Sequence, residues 1–409
     1  MTILPQPTPP SAAGPAAAPR LRLNFLDGLR GLAALYVMLA HVFSITAYGD
    51  DGRVSATLPP AFVWATRGLC FPHYAVAVFI VLSGFCLMLP VSRSKDGHLP
   101  GGLLGFAKRR ARRILPPYYV ALTFVLAVLF ASHRLVKHTG GGATDLSAAD
   151  IGTHFLLIHN LWSRYSMQVD IPMWSVAWEW QIYFIFALLL LPVWRRLGSV
   201  WTLVLALALG FLPMAVLPAA SNFSWTSPWY LGLFALGMAA ADALCRPGSG
   251  RFRRLQDARF LSVSSGVLAA GLVVLATVQP AWFGSFYWLG DLYIGLFAAL
   301  LILACAHPAK PDALRRVVRG LESRPLMTLG AFSYSLYLVH FPVLIKMQDI
   351  LHKHGASHSA QFLVLLCAGA PLCLRLAYLF HLAFERPFMP GHPKTERQAE
   401  AAALVSPAP

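Results

Sequence analysis

Residues 199–218 read SVWTLVLALALGFLPMAVLP, twenty positions without an Asp, Glu, Lys or Arg among them. A helix rises about 1.5 Å per residue, so a run of this length covers roughly 30 Å, the depth of a bilayer's hydrocarbon core. Runs near that length recur along the chain. Hydrophobic residues fill 57% of its 409 positions and charged residues only 12%, and its mean hydropathy is +0.59. Soluble globular domains carry roughly 25% charged residues, which argues against a conventional soluble enzyme. Length alone would suggest two or three soluble domains. The pattern instead reads as one polytopic membrane domain.

Spans are expected at about 29–47, 70–90, 114–132, 173–192, 199–218, 227–245, 260–278, 286–306, 326–347 and 359–383. The fold class is therefore all-α, a polytopic membrane protein with about ten transmembrane helices, two of them interrupted by Pro213 and Pro371. Residues Thr153–Leu161 are too few to cross and read as re-entrant or interfacial. The Pro/Ala-rich residues 1–21 and the tail 391–409 are expected to be disordered, which leaves 22–390 as the membrane domain. The first twenty residues lack the apolar core of a cleavable signal peptide. No internal repeat is visible.

Lys and Arg resist translocation, so their distribution sets the orientation. With the N-terminus inside, the inner segments hold 24 of the 33 and the outer loops 6, while Arg30, Lys346 and Arg375 fall within spans. Both termini are expected to be cytoplasmic, in a multi-pass protein of the inner membrane. The same bias explains a net charge of +16 and removes the reason to expect a nucleic-acid partner.

Ionisable groups inside a span are costly and usually face a cavity. Arg30 and His41 lie 11 residues apart on the first span, close to three turns and about 16 Å along one face. Asp27 precedes Arg30 by one turn on the same stripe. Glu179 on the fourth span and His340 on the ninth reach a similar expected depth to His41, although sequence alone does not phase the three helix faces. Each has a bland reading beside the functional one. A lone imidazole can be a packing residue, Glu179 can form a structural ion pair with an Arg, and His340 can bond structurally among Tyr334, Ser335 and Tyr337.

Five cations occur in the six residues Lys108–Arg113, just before Ile-Leu-Pro-Pro-Tyr-Tyr. They can be topogenic, or form an anion site in which Arg110 and Arg113 share a helix face. A phosphate-bearing donor such as an acyl-CoA would fit that site, as would an anionic lipid headgroup. The cysteines Cys70, Cys86, Cys245, Cys305, Cys367 and Cys373 have no metal-like spacing and read as packed thiols, so no metal is expected.

Six segments in order carry a resemblance: FLDGLRGLAALYVMLAH (Phe25–His41), FIVLSGFCL (79–87), KRRARRILPPYY (108–119), PMWSVAWEWQIYFIF (172–186), FSYSLYLVHFPVL (332–344) and FERPF (384–388). Together they resemble the acyltransferase-3 family of integral-membrane acyltransferases, which includes bacterial O-antigen and exopolysaccharide O-acetyltransferases. The resemblance covers about residues 22 to 390. It implies a ten-helix core, a cytoplasmic acyl-CoA co-substrate, acetyl-CoA above all, and acyl transfer to a hydroxyl of a sugar or lipid-linked acceptor. The family's Arg-and-His pair falls on Arg30 and His41, and its Arg-x-x-Arg pair on Arg110 and Arg113. Its Trp-Ser…Glu motif falls on Trp174, Ser175 and Glu179, and Ser83 lies in the second segment. The Tyr-Ser-x-Tyr-Leu-x-His-x-Pro motif falls on Tyr334, Ser335, Tyr337, His340 and Pro342, and the closing Glu-Arg-Pro on Glu385 to Pro387. Ala177 and Trp180 depart from the residues common beside the Glu. Some polysaccharide acetylases append an SGNH-type hydrolase domain, which is not expected here.

Acylation of an alcohol by a thioester needs a base for the hydroxyl proton, and an imidazole with its ordinary pKa of about 6.5 suits that task. The expected roles are His41 as general base, Glu179 as its orienter or as an alternative base, Arg30 at the inner end of the cavity, and Arg110 with Arg113 on the phosphates of CoA. A macrolide or other secondary metabolite is an alternative acceptor, with specificity expected in 133–171. A proton-coupled permease is the alternative of another class.

Overall fold

The computed structural model describes residues 23–47, 59–131, 146–217, 223–246, 250–278 and 286–389. Both expected tails, and residues 133–145 of the expected specificity segment, lie outside the described residues. Within them the chain is helical, with no strand. The principal helices are α1 (Phe25–Ala47), α2 (Pro72–Arg93), α3 (Gly102–Ala131), a short α4 (Ala148–Phe155) and α5 (Met173–Leu197). They continue with α6 (Ser199–Val216), α7 (Tyr230–Cys245), α8 (Ala258–Val278), α9 (Tyr287–Ala306) and α10 (Asp312–Leu321). Last come α11 (Arg324–Ala331), α12 (Ser333–Lys353) and α13 (His358–Phe388).

Among the described residues eight helices are long and apolar enough to cross a membrane: α1, α2, α3, α5, α6, α8, α9 and α13. Two expected spans differ from that pattern. The run at 326–347 is broken into α11 and α12, which meet at 75°. Phe332 leaves helical geometry at the break, and Gly330 lies so close to α1 that a β-carbon there would overlap the Asp27 carbonyl. The other, α7, has only 16 residues, about 24 Å of helix. It is held in the middle of the protein by glycine contacts. Side chains at Gly84 and Gly237 would overlap the carbonyls of Phe234 and Val81, so α2 and α7 approach backbone to backbone, as small residues permit between helices in lipid.

Helix α2 is central, with 72% of its apolar window buried, whereas α8 has 11% and α6 has 22%. Large side chains such as Val204, Leu212, Val267 and Val274 are exposed on those two outer helices. Where water is absent, such faces are the ones that meet lipid. The segment expected as re-entrant forms α4, started by a capping box in which Ser147 and Asp150 satisfy each other's backbone N–H groups. It continues through short turns to Pro172 and places Met167 and Ile171 over the interior.

Candidate active site

Two cavities follow the same face of α1. The first, about 230 Å³, is lined by Arg30 from α1, Ser83 and Cys86 from α2, Arg110 and Arg113 from α3, Ser175, Glu179 and Tyr183 from α5, and Tyr334 and Tyr337 from α12. Three guanidinium groups and one carboxylate thus line this cavity, while a second carboxylate, Asp27, pairs with Arg30. Arg30 donates to Asp27 at 2.6 Å, a pairing one turn apart, and to Cys86 Sγ at 3.0 Å. Arg110 lies 6.0 Å from the centre of the Tyr183 ring, and its buried Nε has no hydrogen-bond partner among the described residues. Such a surplus of rigid donors suits an anion, phosphate above all.

Glu179 is held by two hydroxyls. Ser83 Oγ donates to its Oε1 at 2.8 Å and Tyr183 Oη at 2.6 Å. Ser175 and Glu179 stand one turn apart and both reach this cavity, whereas Trp174, about 100° further round the helix, lines the second one.

The second cavity, about 530 Å³, contains His41, His73, Trp174, Ser227, Tyr287 and Tyr337 among its lining residues. The His41 ring lies 5.3 Å from that of His340 and meets Phe341 edge-on at 5.0 Å. His340 Nδ1 is 2.9 Å from the Leu336 carbonyl and so acts as donor there, while its buried Nε2 has no partner. In the neutral ring that nitrogen carries the lone pair. Among the described residues, only Val76 and Tyr337 line both cavities. Ser175 Oγ and Tyr337 Oη are 2.6 Å apart at this partition.

The structure therefore brings His41 and His340 together but does not bring Glu179 to them. Glu179 joins Arg30 on the arginine side of Tyr337. Depth along the spans did not reveal this, because one residue of helix phase decides which cavity a side chain enters. Arg110 and Arg113 share a face and a cavity, as their spacing suggests, and Asp27 pairs with Arg30. Tyr334 ties α12 to α3 through the Ile114 carbonyl at 3.2 Å. Glu385 lies in neither cavity lining; it is buried, accepting from Ser335 Oγ at 2.5 Å beside His381 Nδ1 at 2.9 Å.

Sequence reasoning passed over several of these groups. Cys86, which reads as a packed thiol in the sequence, lies against Arg30 in the first cavity. Asp291, within an expected span, should have been found by the same argument as Glu179; it is fully buried and accepts from Trp229 Nε1 at 2.9 Å. Asp242 is another, bound to Ser199 Oγ at 2.5 Å. Tyr183 carried no signal, since a tyrosine in an aromatic span is unremarked.

The acyltransferase domain of the acyltransferase-3 family matches residues 23–382. YrhL of Bacillus subtilis, provisionally named a peptidoglycan O-acetyltransferase, is 28% identical over 338 residues, covering 78% of this chain and 48% of that protein. The acyltransferase MdmB of Streptomyces mycarofaciens is 28% identical over 351 residues, 79% of each. The peptidoglycan O-acetyltransferase OatA of Listeria monocytogenes is 25% identical over 343 residues, covering 80% of this chain and 50% of OatA. The chain thus spans about half the length of two of these relatives. No solved structure matches it.

Proposed function

The chain belongs to the acyltransferase-3 family, and from that premise we propose that it is an O-acyltransferase of the inner membrane, moving an acetyl group from acetyl-CoA to a hydroxyl of a sugar, polysaccharide or lipid-linked glycan. In this reading ten segments cross the bilayer, both termini are cytoplasmic, and the arginine cavity faces the cytoplasm. The observation that carries the reading is the pair of adjoining cavities, one cationic and one lined by imidazole, parted by Tyr337.

Arg110 and Arg113 bind the donor's phosphates, and Arg30, anchored on Asp27, lines the same cavity beside the thioester. A cavity of about 230 Å³ suits the donor's thioester arm, with the nucleotide at its mouth. The acceptor hydroxyl enters the second cavity, where His41 takes its proton. The acceptor oxygen forms a bond to the acyl carbon, the carbon–sulfur bond breaks, and the sulfur leaves as the CoA thiolate, which then takes up a proton. His340, with its Nδ1 proton held on the Leu336 carbonyl, keeps a lone pair beside His41 and orients that ring. Glu179, fixed by Ser83 and Tyr183, serves the donor side by balancing the arginines.

The test is transfer of radiolabelled acetyl from acetyl-CoA to a glycan fraction by membranes holding the protein. Labelled glycan with stoichiometric release of CoA supports the reading. Intact CoA, with proton-coupled uptake of a solute, would establish the permease instead. A macrolide or other secondary-metabolite acceptor is the second reading, distinguished by supplying a macrolide in place of the glycan.

A further inference from the structure

A third cavity, about 390 Å³, lies between α3 and α12, with Phe124, Val128, Phe341, Val343 and Met347 among its walls. Phe124 and Leu372 at its edge are exposed hydrophobic residues, so the groove opens on a face of the lipid-contacting kind. Lys346 and Asp349 also line it, from α12. Its other end is polar and buried. Asp170 and Gln168 both line it and are 2% and 4% exposed. Among the described residues, neither carboxylate oxygen of Asp170, nor Oε1 of Gln168, has a hydrogen-bond partner.

The backbone between them is strained. Val169 has φ 58°, a left-handed conformation in which a β-branched residue is a rare outlier, and the Asp170 N–H closes the turn onto the Gln168 carbonyl at 2.6 Å. Strain of this kind persists where the surroundings over-determine it, frequently at ligand sites. The groove also adjoins the histidine cavity. Met167 and Ile171 line both, and Phe341 stands between the groove and the His41 ring. A surface that met only bulk lipid chains would have no use for a buried carboxyl and amide at its end. A hydroxyl-bearing head would complete both, because burial pushes the Asp170 carboxyl well above its ordinary range and lets it donate as well as accept.

We propose that this groove admits a glycolipid acceptor sideways from the bilayer, its hydrocarbon chain between α3 and α12 and its hydroxylated head held by Asp170 and Gln168 next to the His41 cavity. The proposal rests on the reading of that cavity as the acceptor side.

The full chain is placed in phosphatidylethanolamine–phosphatidylglycerol vesicles with dodecyl glucoside bearing a diazirine at its chain end, or with a phosphatidylcholine bearing the same group. After illumination, peptides covering 124–129 and 341–349 should be labelled at least threefold more by the glucoside than by the phospholipid. Asp170→Leu with Gln168→Leu should bring that ratio close to one. Val128→Trp, at an exposed site outside the core, should lower labelling of 341–349 by the glucoside about fivefold without the folding risk of the buried pair. Equal labelling by the two probes, or labelling unchanged in Val128→Trp, overturns the proposal. CoA release from acetyl-CoA in the same vesicles reports on the acyltransferase reading by itself, so failure of the groove and failure of that reading are told apart.

Discussion

Tyr337 Oη and Ser175 Oγ share a hydrogen bond of 2.6 Å, and the Tyr337 ring faces the arginine cavity on one side and the histidine cavity on the other. A thioester held on one side is shielded by this ring from water on the other until an acceptor hydroxyl displaces the ring. Tyr337→Phe removes the hydrogen bond but keeps the ring, so hydrolysis of acetyl-CoA without acceptor should stay within about twofold of the original, while the neutral hydrogen bond costs about 1 kcal/mol of stability. Tyr337→Ala joins the cavities, and acceptor-independent hydrolysis should rise severalfold, with a stability loss of roughly 3–5 kcal/mol. The measurement is CoA thiol release in detergent. An alanine variant no leakier than the phenylalanine one shows that the ring is not the barrier.

His41 and the arginine pair should fail in different ways. His41→Ala removes the proposed base, a contribution typically worth 10²–10⁴-fold in rate, while leaving every group of the arginine cavity in place; donor binding should be unchanged and transfer lost. Arg110→Ala with Arg113→Ala should instead raise the KM for acetyl-CoA by about tenfold or more, with kcat less affected, since such contacts serve ground state and transition state alike. Steady-state kinetics with varied acetyl-CoA separates the two patterns. Near-normal turnover in His41→Ala ends its assignment as base.

The helical membrane class was legible because a charge-free run of twenty residues has few other uses, and each expected span meets a helix. Pairings on a single helix were legible too. Asp27 with Arg30, and Arg110 with Arg113, follow from 3.6 residues per turn. Contacts between helices were not. Whether Glu179 meets His41 depends on the rotation of α5 about its axis, which its nearly uniform apolar surface leaves unmarked. The bend at Phe332 was equally hidden, since no proline or glycine stands at the break and the close approach of Gly330 to the Asp27 backbone beside it is a tertiary contact. Asp170 fell outside a search confined to spans.

Glu385 is a motif residue that lines neither cavity. It accepts from Ser335 Oγ and pairs with His381 across one turn, at sites 0%, 2% and 7% exposed. A π-helical turn at His381–Glu385 closes α13 at this point. Glu385→Ala leaves a buried hydroxyl and an imidazole without their partner, which costs about 1–3 kcal/mol for each group stranded. The thermal midpoint should fall by several degrees, and the KM for acetyl-CoA should stay unchanged in protein that remains folded. Loss of turnover at full thermal stability would place Glu385 in the chemistry instead.

The position of Arg30 is fixed from outside its own helix. At Gly28 a β-carbon would overlap the Leu321 carbonyl of α10, and at Gly330 it would overlap the Asp27 carbonyl of α1. These are backbone atoms, which do not step aside as a side-chain tip can, so Gly28→Ala must push α1 off α10 and displace Asp27 and Arg30 with it. Overpacking of this kind typically costs 1–3 kcal/mol, here against a gain of up to about 1 kcal/mol because alanine is the better helix former. Gly320 is the internal comparison, because it lies in α10 one residue before Leu321 and a β-carbon there meets nothing within 4 Å. Gly320→Ala should therefore melt at or above the original temperature with unchanged kinetics, while Gly28→Ala melts lower and binds acetyl-CoA more weakly. If both melt alike, α1 and α10 are not packed as closely as their glycines require, and the arginine cavity loses the support that sets its shape.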